Sequence, residues 1–332
     1  MGSIYSVSAA AVLAALALAA GPSGAMAQEP ATGESLVNAL HKLGGDNPGK
    51  RAAHGKGICV KGGFTPTAEA PTLSKAKHFA QPGNVLARFS MGGPNPNVPD
   101  NKKDNPRGFA LKFDLGGDTS TDMVMLQAPV FVARTPDDFL AMLTAAVPGP
   151  DGKPDKEKIG AYLKDHPEAT AQSAWLNARP VPASYVATTY WGVHTFTLTN
   201  ANGDTQIIKW KLAPQGGEEG LTDDEAKAKD ANFYTPELTQ RLAKGPAKFD
   251  LLAILGKDGD NTDDPTVTWP EDRKSVKMGT LEISGLEDQA RCDAGVFDPT
   301  NLTDGVAGPA NDKIFPMRSE AYAVSFSQRL AN

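Results

Sequence analysis

Apolar and polar positions alternate in short runs along most of the chain. Residues 85–90, 108–114, 122–126 and 129–133 are rich in β-forming side chains and bounded by Gly, Pro, Asn or Asp, which predicts strands. Residues 193–199 and 205–212 flank Asn200-Ala-Asn-Gly-Asp204, whose Asn-Gly pair predicts a hairpin. Residues 250–255 and 276–283 read as further strands. Helical spacing is rarer. Residues 34–43 predict a short amphipathic helix ended by Gly44-Gly45. Thr135-Pro-Asp-Asp138 caps a helix to about residue 147, and residues 154–179 read as helical. Thr222-x-x-Glu225 is a capping box opening a helical stretch over 223–243 that breaks near Pro236. The last residues, from Ser319 as N-cap, lack Gly and Pro and predict a helix. About eight strands without regular β-α alternation predict an α+β fold, a closed antiparallel β-barrel with attached helices.

The first 27 residues break this pattern. An apolar run over 9–20, then Gly21-Pro22 and Ala25-Met-Ala27, predicts a signal peptide cleaved after Ala27, although no Lys or Arg opens it. The run is too short to span a bilayer. The expectation is an exported, periplasmic chain with one domain over 28–332. A net charge of −6 argues against a nucleic-acid partner. There are two cysteines, Cys59 and Cys292, and the sequence leaves open whether they pair.

Two motifs fail on inspection. Gly44-x4-Gly49-Lys50 resembles a phosphate loop, but Arg51 stands where Ser or Thr is required, so it reads as a connection. Counting from Asp258 as the first position of a calcium loop, Asp263 stands where Gly is needed and Trp269 where Glu is needed. That segment reads as a solvated acidic loop.

More chemistry gathers at the C-terminal helix. Arg318, Tyr322 and Arg329 fall at i, i+4 and i+11, roughly along one stripe. A phenol is ordinarily neutral and a poor metal ligand. A guanidinium within reach favours its anion, which suits ferric haem. A surface helix with a Tyr–Arg stack is the plainer alternative. Upstream stand Arg51-Ala-Ala-His54-Gly-Lys-Gly57, Arg88-Phe-Ser90, Asn105-Pro-Arg-Gly-Phe-Ala-Leu-Lys-Phe113, Pro129-Val-Phe131, His194-Thr-Phe196 and Phe297-Asp-Pro-Thr-Asn301.

This ordered set resembles the haem catalase family, and within it the short exported branch of catalase-related peroxidases, from about residue 48 to the C-terminus. The resemblance implies a catalase-like barrel carrying haem b. By it, His54 is the acid–base that moves a proton between peroxide oxygens, and Ser90 is the hydroxyl that fixes its ring. Tyr322 is the iron ligand, and Arg318 keeps it a phenolate. Arg51, Arg88 and Arg329 neutralise the haem propionates, while Phe131 and Phe139 line the peroxide side. One position departs from the family pattern. Leu126, with Gln127 beside it, stands where catalases carry an asparagine that helps hold peroxide.

The implied activity is reduction of hydrogen peroxide or an organic hydroperoxide with a small organic reductant, with weak or no oxygen-releasing activity. The alternatives are a true catalase, a fatty-acid hydroperoxide isomerase on the same fold, and a non-enzymatic haem-binding protein. A monomer or dimer without a membrane span is expected. With an ordinary histidine pKa near 6.5, activity is expected to fall below about pH 6.

Overall fold

Eight antiparallel strands close on one another in the computed structural model, which describes Met1, residues 30–45 and residues 47–331. Apart from Met1, the expected signal peptide lies outside the described residues. Contacts divide the chain into Met1–Pro30 and Ala31–Asn332, and the barrel belongs to the second unit. Its strands are β1 (Gly57–Pro66), β2 (Gly83–Met91), β3 (Arg107–Gly116), β4 (Thr119–Leu126), β5 (Tyr190–Thr199), β6 (Thr205–Pro214), β7 (Ala247–Leu255) and β8 (Ser275–Leu286). The order round the barrel is β4-β3-β2-β1-β8-β7-β6-β5. A single pair, Leu126 with Trp191, closes β4 onto β5.

The two-residue period of the strands sorts the side chains. In β2, Ala87, Phe89 and Met91 join the core, as do Phe109, Leu111 and Phe113 of β3. Aromatic rings fill much of it. Phe89 stacks on Phe109 at 4.0 Å and on Tyr185 at 5.2 Å, and Tyr190, Trp210 and Phe249 are buried with them. The alternate residues, Arg88, Ser90, Gly108 and Ala110, therefore face out of the barrel.

Three helices cover that outward face: α1 (Gly33–Gly44), α2 (Pro136–Ala146) and α3 (Ile314–Ala331). Leu36, Val37 and Leu40 of α1 pack with Leu143 of α2 and with Met317, Ala321 and Val324 of α3. Two polar contacts fix where α1 begins. The Ala31 N–H donates to Asp137 at 2.6 Å, and the Gly33 N–H to Glu320 at 2.8 Å. Among the described residues, no helix is long and apolar enough to cross a membrane.

The expected elements hold with local departures. Strand β1 has no counterpart in the sequence reading, because Gly57, Gly62 and Gly63 dilute its pattern and its register shifts at Lys61/Gly62. Residues 129–133 are not a strand. Pro129 offers no N–H to a ladder, and the Phe131 N–H donates to Pro265. The 154–179 stretch breaks at His166-Pro167, and the 223–243 stretch breaks between Ala228 and Tyr234, leaving Pro236 in a first turn. Helix α3 starts before Ser319. The Asp312 carboxylate accepts from the Ile314 and Phe315 N–H groups at 2.9 and 3.2 Å. Pro316 is tolerated in that turn because its missing N–H would have no helical partner there. Ser319 lies inside α3 and donates its hydroxyl to Asp298 at 2.6 Å. Cys59 and Cys292 form a disulfide, with Cα atoms 5.8 Å apart.

Candidate active site

Between the outward faces of β2–β4 and the three helices lies a cavity of about 420 Å³. Arg51, His54, Arg88, Ser90, Phe131, Phe139, Arg318, Tyr322 and Arg329 all line it, although 278 positions separate the first from the last in sequence (329 − 51).

His54 precedes β1 and adopts φ +56°, a left-handed conformation uncommon for a residue with a Cβ. Its N–H donates to the Gly93 carbonyl at 2.9 Å, and its Nδ1 lies 2.9 Å from the Ser90 hydroxyl. Ser90 pairs across the sheet with Gly108. A Cβ on Gly108 would sit 2.7 Å from the Ser90 oxygen and 2.9 Å from His54 Nδ1, so the pair needs glycine there. Gly108→Ala is expected to push the imidazole aside and lower peroxide turnover at least tenfold with an unchanged circular dichroism spectrum. A wild-type rate in G108A would refute that fit.

The environment of His54 corrects the expected pH dependence. Burial, and then the positive charges of Arg88, Arg318 and Arg51, lower its pKa from 6.5 to about 3. The ring therefore stays neutral far below pH 6. Peroxide turnover is expected to change less than about twofold between pH 7 and 4.5. Stability moves differently. His78, also held down to about 3 by burial, and His54 bind protons in the unfolded chain below about pH 6.5 but not in the folded one. Stability present above that pH is lost as pH falls towards 3, so acid inactivation should coincide with unfolding. Initial rates and circular dichroism over the same pH series test this; a rate midpoint near 6.5 in folded protein would overturn it.

A second hydrogen-bonded set opens on the same cavity. Arg318 donates to the Tyr322 phenol oxygen through Nη2 at 2.6 Å and Nε at 3.2 Å. Its Nη1 lies 3.0 Å from His194 Nε2, and His194 Nδ1 lies 2.6 Å from Asp312. A guanidinium has only donors, so Nε2 must accept and the imidazole must be neutral, with its proton on Nδ1 facing Asp312. The His194 pKa is lowered, by burial first and against the pull of Asp312, which agrees. The sequence reading placed His194 in its ordered motif set without a role and did not single out Asp312. They lie 118 residues apart and no local spacing announces them.

Three arginines form a further group. Arg51 pairs with Asp293 at 2.5 Å, and Arg329 donates to the Asp293 carbonyl at 2.8 Å. Arg88 is 4% exposed, its Nη2 donates to Gly55 at 3.1 Å, and its Nε has no partner among the described residues. Burial and the charge of Arg51 push the Arg88 pKa down to about 9. Among the described residues these three cations meet one paired carboxylate, Asp293, which leaves surplus positive charge at the cavity edge. An apolar cavity with that edge, an orphaned guanidinium N–H and a phenol oxygen pointed at by Arg318 fits a flat apolar cofactor bearing carboxylates.

Leu126 lines the cavity with its apolar side chain, while Gln127 beside it is buried outside the lining. Gln172, which the sequence reading passed over, also lines it and donates to the Val130 carbonyl at 2.8 Å.

The profile of the family described as Catalase matches residues 17–332. A "Catalase-related peroxidase" of Synechococcus elongatus is 40% identical over 302 residues, 90% of this chain and 88% of the relative. A "Catalase-related peroxidase" of Mycolicibacterium paratuberculosis is 34% identical, over 90% and 95%. A "Catalase" of Streptomyces coelicolor is 28% identical, and the match takes in 64% of its length. Among solved structures, a fungal catalase superposes with a TM-score of 0.77 at 21% identity, over 86% of this chain and 61% of the fungal one. The fungal likeness speaks for the barrel alone, since the chain spans about three fifths of that structure. The profile match and the two relatives of similar length carry more: the chain belongs to the catalase family.

Proposed function

We propose that this chain is a haem-dependent peroxidase that reduces hydrogen peroxide or an organic hydroperoxide at the expense of a small organic donor. The observation that carries the reading is the presence of two separate hydrogen-bonded sets on one cavity, His54–Ser90 and Tyr322–Arg318–His194–Asp312. Tyr322 is the iron ligand in this reading, and Arg51, Arg88 and Arg329 hold the propionates of haem b. Bound there, haem supplies the electrons that cleave the O–O bond.

His54 would take a proton from one peroxide oxygen at Nε2 and deliver it to the other, so that one water (or an alcohol, from an organic hydroperoxide) leaves; the remaining oxygen would leave as water once the organic donor has supplied two electrons and two protons. The Ser90 hydroxyl holds Nδ1 and with it the ring orientation. Arg318 donates twice to the phenol oxygen and favours its anion. His194 and Asp312 hold Arg318 in place, since Nε2 of the neutral imidazole receives its third N–H. Phe131 and Phe139, with ring centroids 5.2 Å apart, help exclude water from the cavity. The apolar side chains of Leu36, Val37, Leu40 and Met142 on the same walls suit an organic hydroperoxide as well as hydrogen peroxide. The buried disulfide supports an oxidising compartment, consistent with export.

Leu126 favours the peroxidase over the catalase reading. An apolar side chain at the expected amide position offers no donor to a second peroxide. Hydrogen peroxide added to haem-loaded protein with a phenolic dye is expected to oxidise the dye while releasing little oxygen. Oxygen release faster than dye oxidation would instead make the chain a catalase, and absence of both would leave a haem-binding protein.

A further inference from the structure

The disulfide lies where the three arginines converge. Cys59 of β1 stands directly opposite Arg88 of β2, on the same face of the sheet. On the other half of the bond, the Cys292 carbonyl accepts from Arg51 Nη2 at 2.6 Å. The next residue, Asp293, offers its carboxylate to Arg51 and its carbonyl to Arg329. The Gly295 carbonyl accepts from both, at 3.3 and 3.1 Å. The segment carrying these acceptors is tied to β1 beside the disulfide. Gln289 accepts from the Cys59 N–H at 3.1 Å and holds the Asp293 carboxylate at 3.2 Å, while the Glu287 N–H donates to the Cys59 carbonyl at 3.0 Å. Both cysteines are 1% exposed and pack with Phe297 against Ala110 and Val124, which line the cavity.

Three guanidinium groups this close repel one another: burial first, and then the charge of Arg51, lowers the proton affinity of both Arg88 and Arg329. Their spacing therefore depends on fixed acceptors. Among the described residues, Asp293 is the carboxylate paired with this group, and its place is tied to Cys292, the residue before it.

We propose that the Cys59–Cys292 disulfide and Asp293 are positioning residues for the arginine cradle, and that they set how long the cofactor's carboxylates are held. The proposal rests on the reading of the cavity as a haem site. The bond does not touch the cofactor in this account; it fixes the carbonyls and the carboxylate that aim Arg51 and Arg329.

The test uses haemin and its dimethyl ester, which lacks the two carboxylate charges. Transfer of each from the loaded protein to excess apomyoglobin is followed at 25 °C for the wild type, C59A/C292A and D293N. Haemin is expected to leave both variants at least about tenfold faster than the wild type, the range seen when groups that orient ligands are removed. The ester is expected to leave all three at similar rates. Equal haemin rates in wild type and variants would overturn the proposal, as would equal acceleration of haemin and ester, which marks general loosening. Failure of the wild type to bind haemin at all would sink the cavity reading and the proposal with it. D293N keeps the disulfide, so the proposal remains open to refutation even if C59A/C292A does not fold.

Discussion

Replacing His54 by asparagine is expected to lower peroxide turnover by about 10³-fold while leaving haemin binding within twofold of wild type. A positioned acid–base contributes roughly 10²- to 10⁴-fold, and in the proposed reading one group carries both the removal and the return of the proton. Asparagine is the replacement of choice because it tolerates the left-handed backbone at φ +56°, so the loop keeps its path and the Gly93 hydrogen bond survives. Its amide cannot shuttle a proton near neutral pH. The effect should exceed that of Ser90→Ala, which leaves the imidazole and removes only its 2.9 Å partner. Stopped-flow rates with excess peroxide, beside a haemin titration, decide the matter. A turnover within tenfold of wild type would remove His54 from the proton path.

The neutrality of His54 is also where sequence reading reaches its limit. Alternation along 85–90 and 108–114 was enough to put Arg88 and Ser90 on one face and Phe89 and Phe109 on the other, and strand-based topology followed from such runs. The spacing of Arg318 and Tyr322 at i and i+4 likewise predicted their contact. The pKa was beyond that kind of reading. A value near 6.5 assumes water around the ring, whereas the folded chain surrounds it with burial and three guanidinium charges drawn from residues 51, 88 and 318. Asp293 and Asp312 were invisible for a related reason. Each is an ordinary acidic residue in its own segment and acquires meaning only when the fold brings it 2.5 Å from Arg51 or 2.6 Å from His194. The start of α3 was misplaced because a proline in a first turn looks like a helix breaker to a local reading.

Tyr322→Phe is expected to have the other large effect, on the cofactor rather than on proton transfer. The substitution keeps the ring and its place beside the Arg318 guanidinium, whose centre lies 5.5 Å from the ring centroid, and deletes one oxygen. That oxygen is the acceptor for two Arg318 N–H groups at 2.6 and 3.2 Å, so its loss leaves a half-buried cation with one remaining side-chain hydrogen-bond partner among the described residues, His194. Haemin affinity is expected to fall by at least about 100-fold, beyond the 10- to 100-fold typical of losing a group that only supports a ligand. The absorption bands of a ferric phenolate complex should vanish at the same time. Arg318→Gln should give the milder result, weakened binding with the phenolate bands shifted but present, because the proposed ligand, the Tyr322 oxygen, remains. The order of the two variants is the sharp part. If R318Q lost the bands and Y322F kept them, iron would be held by some other residue, and Tyr322 would be a partner for Arg318 and nothing more.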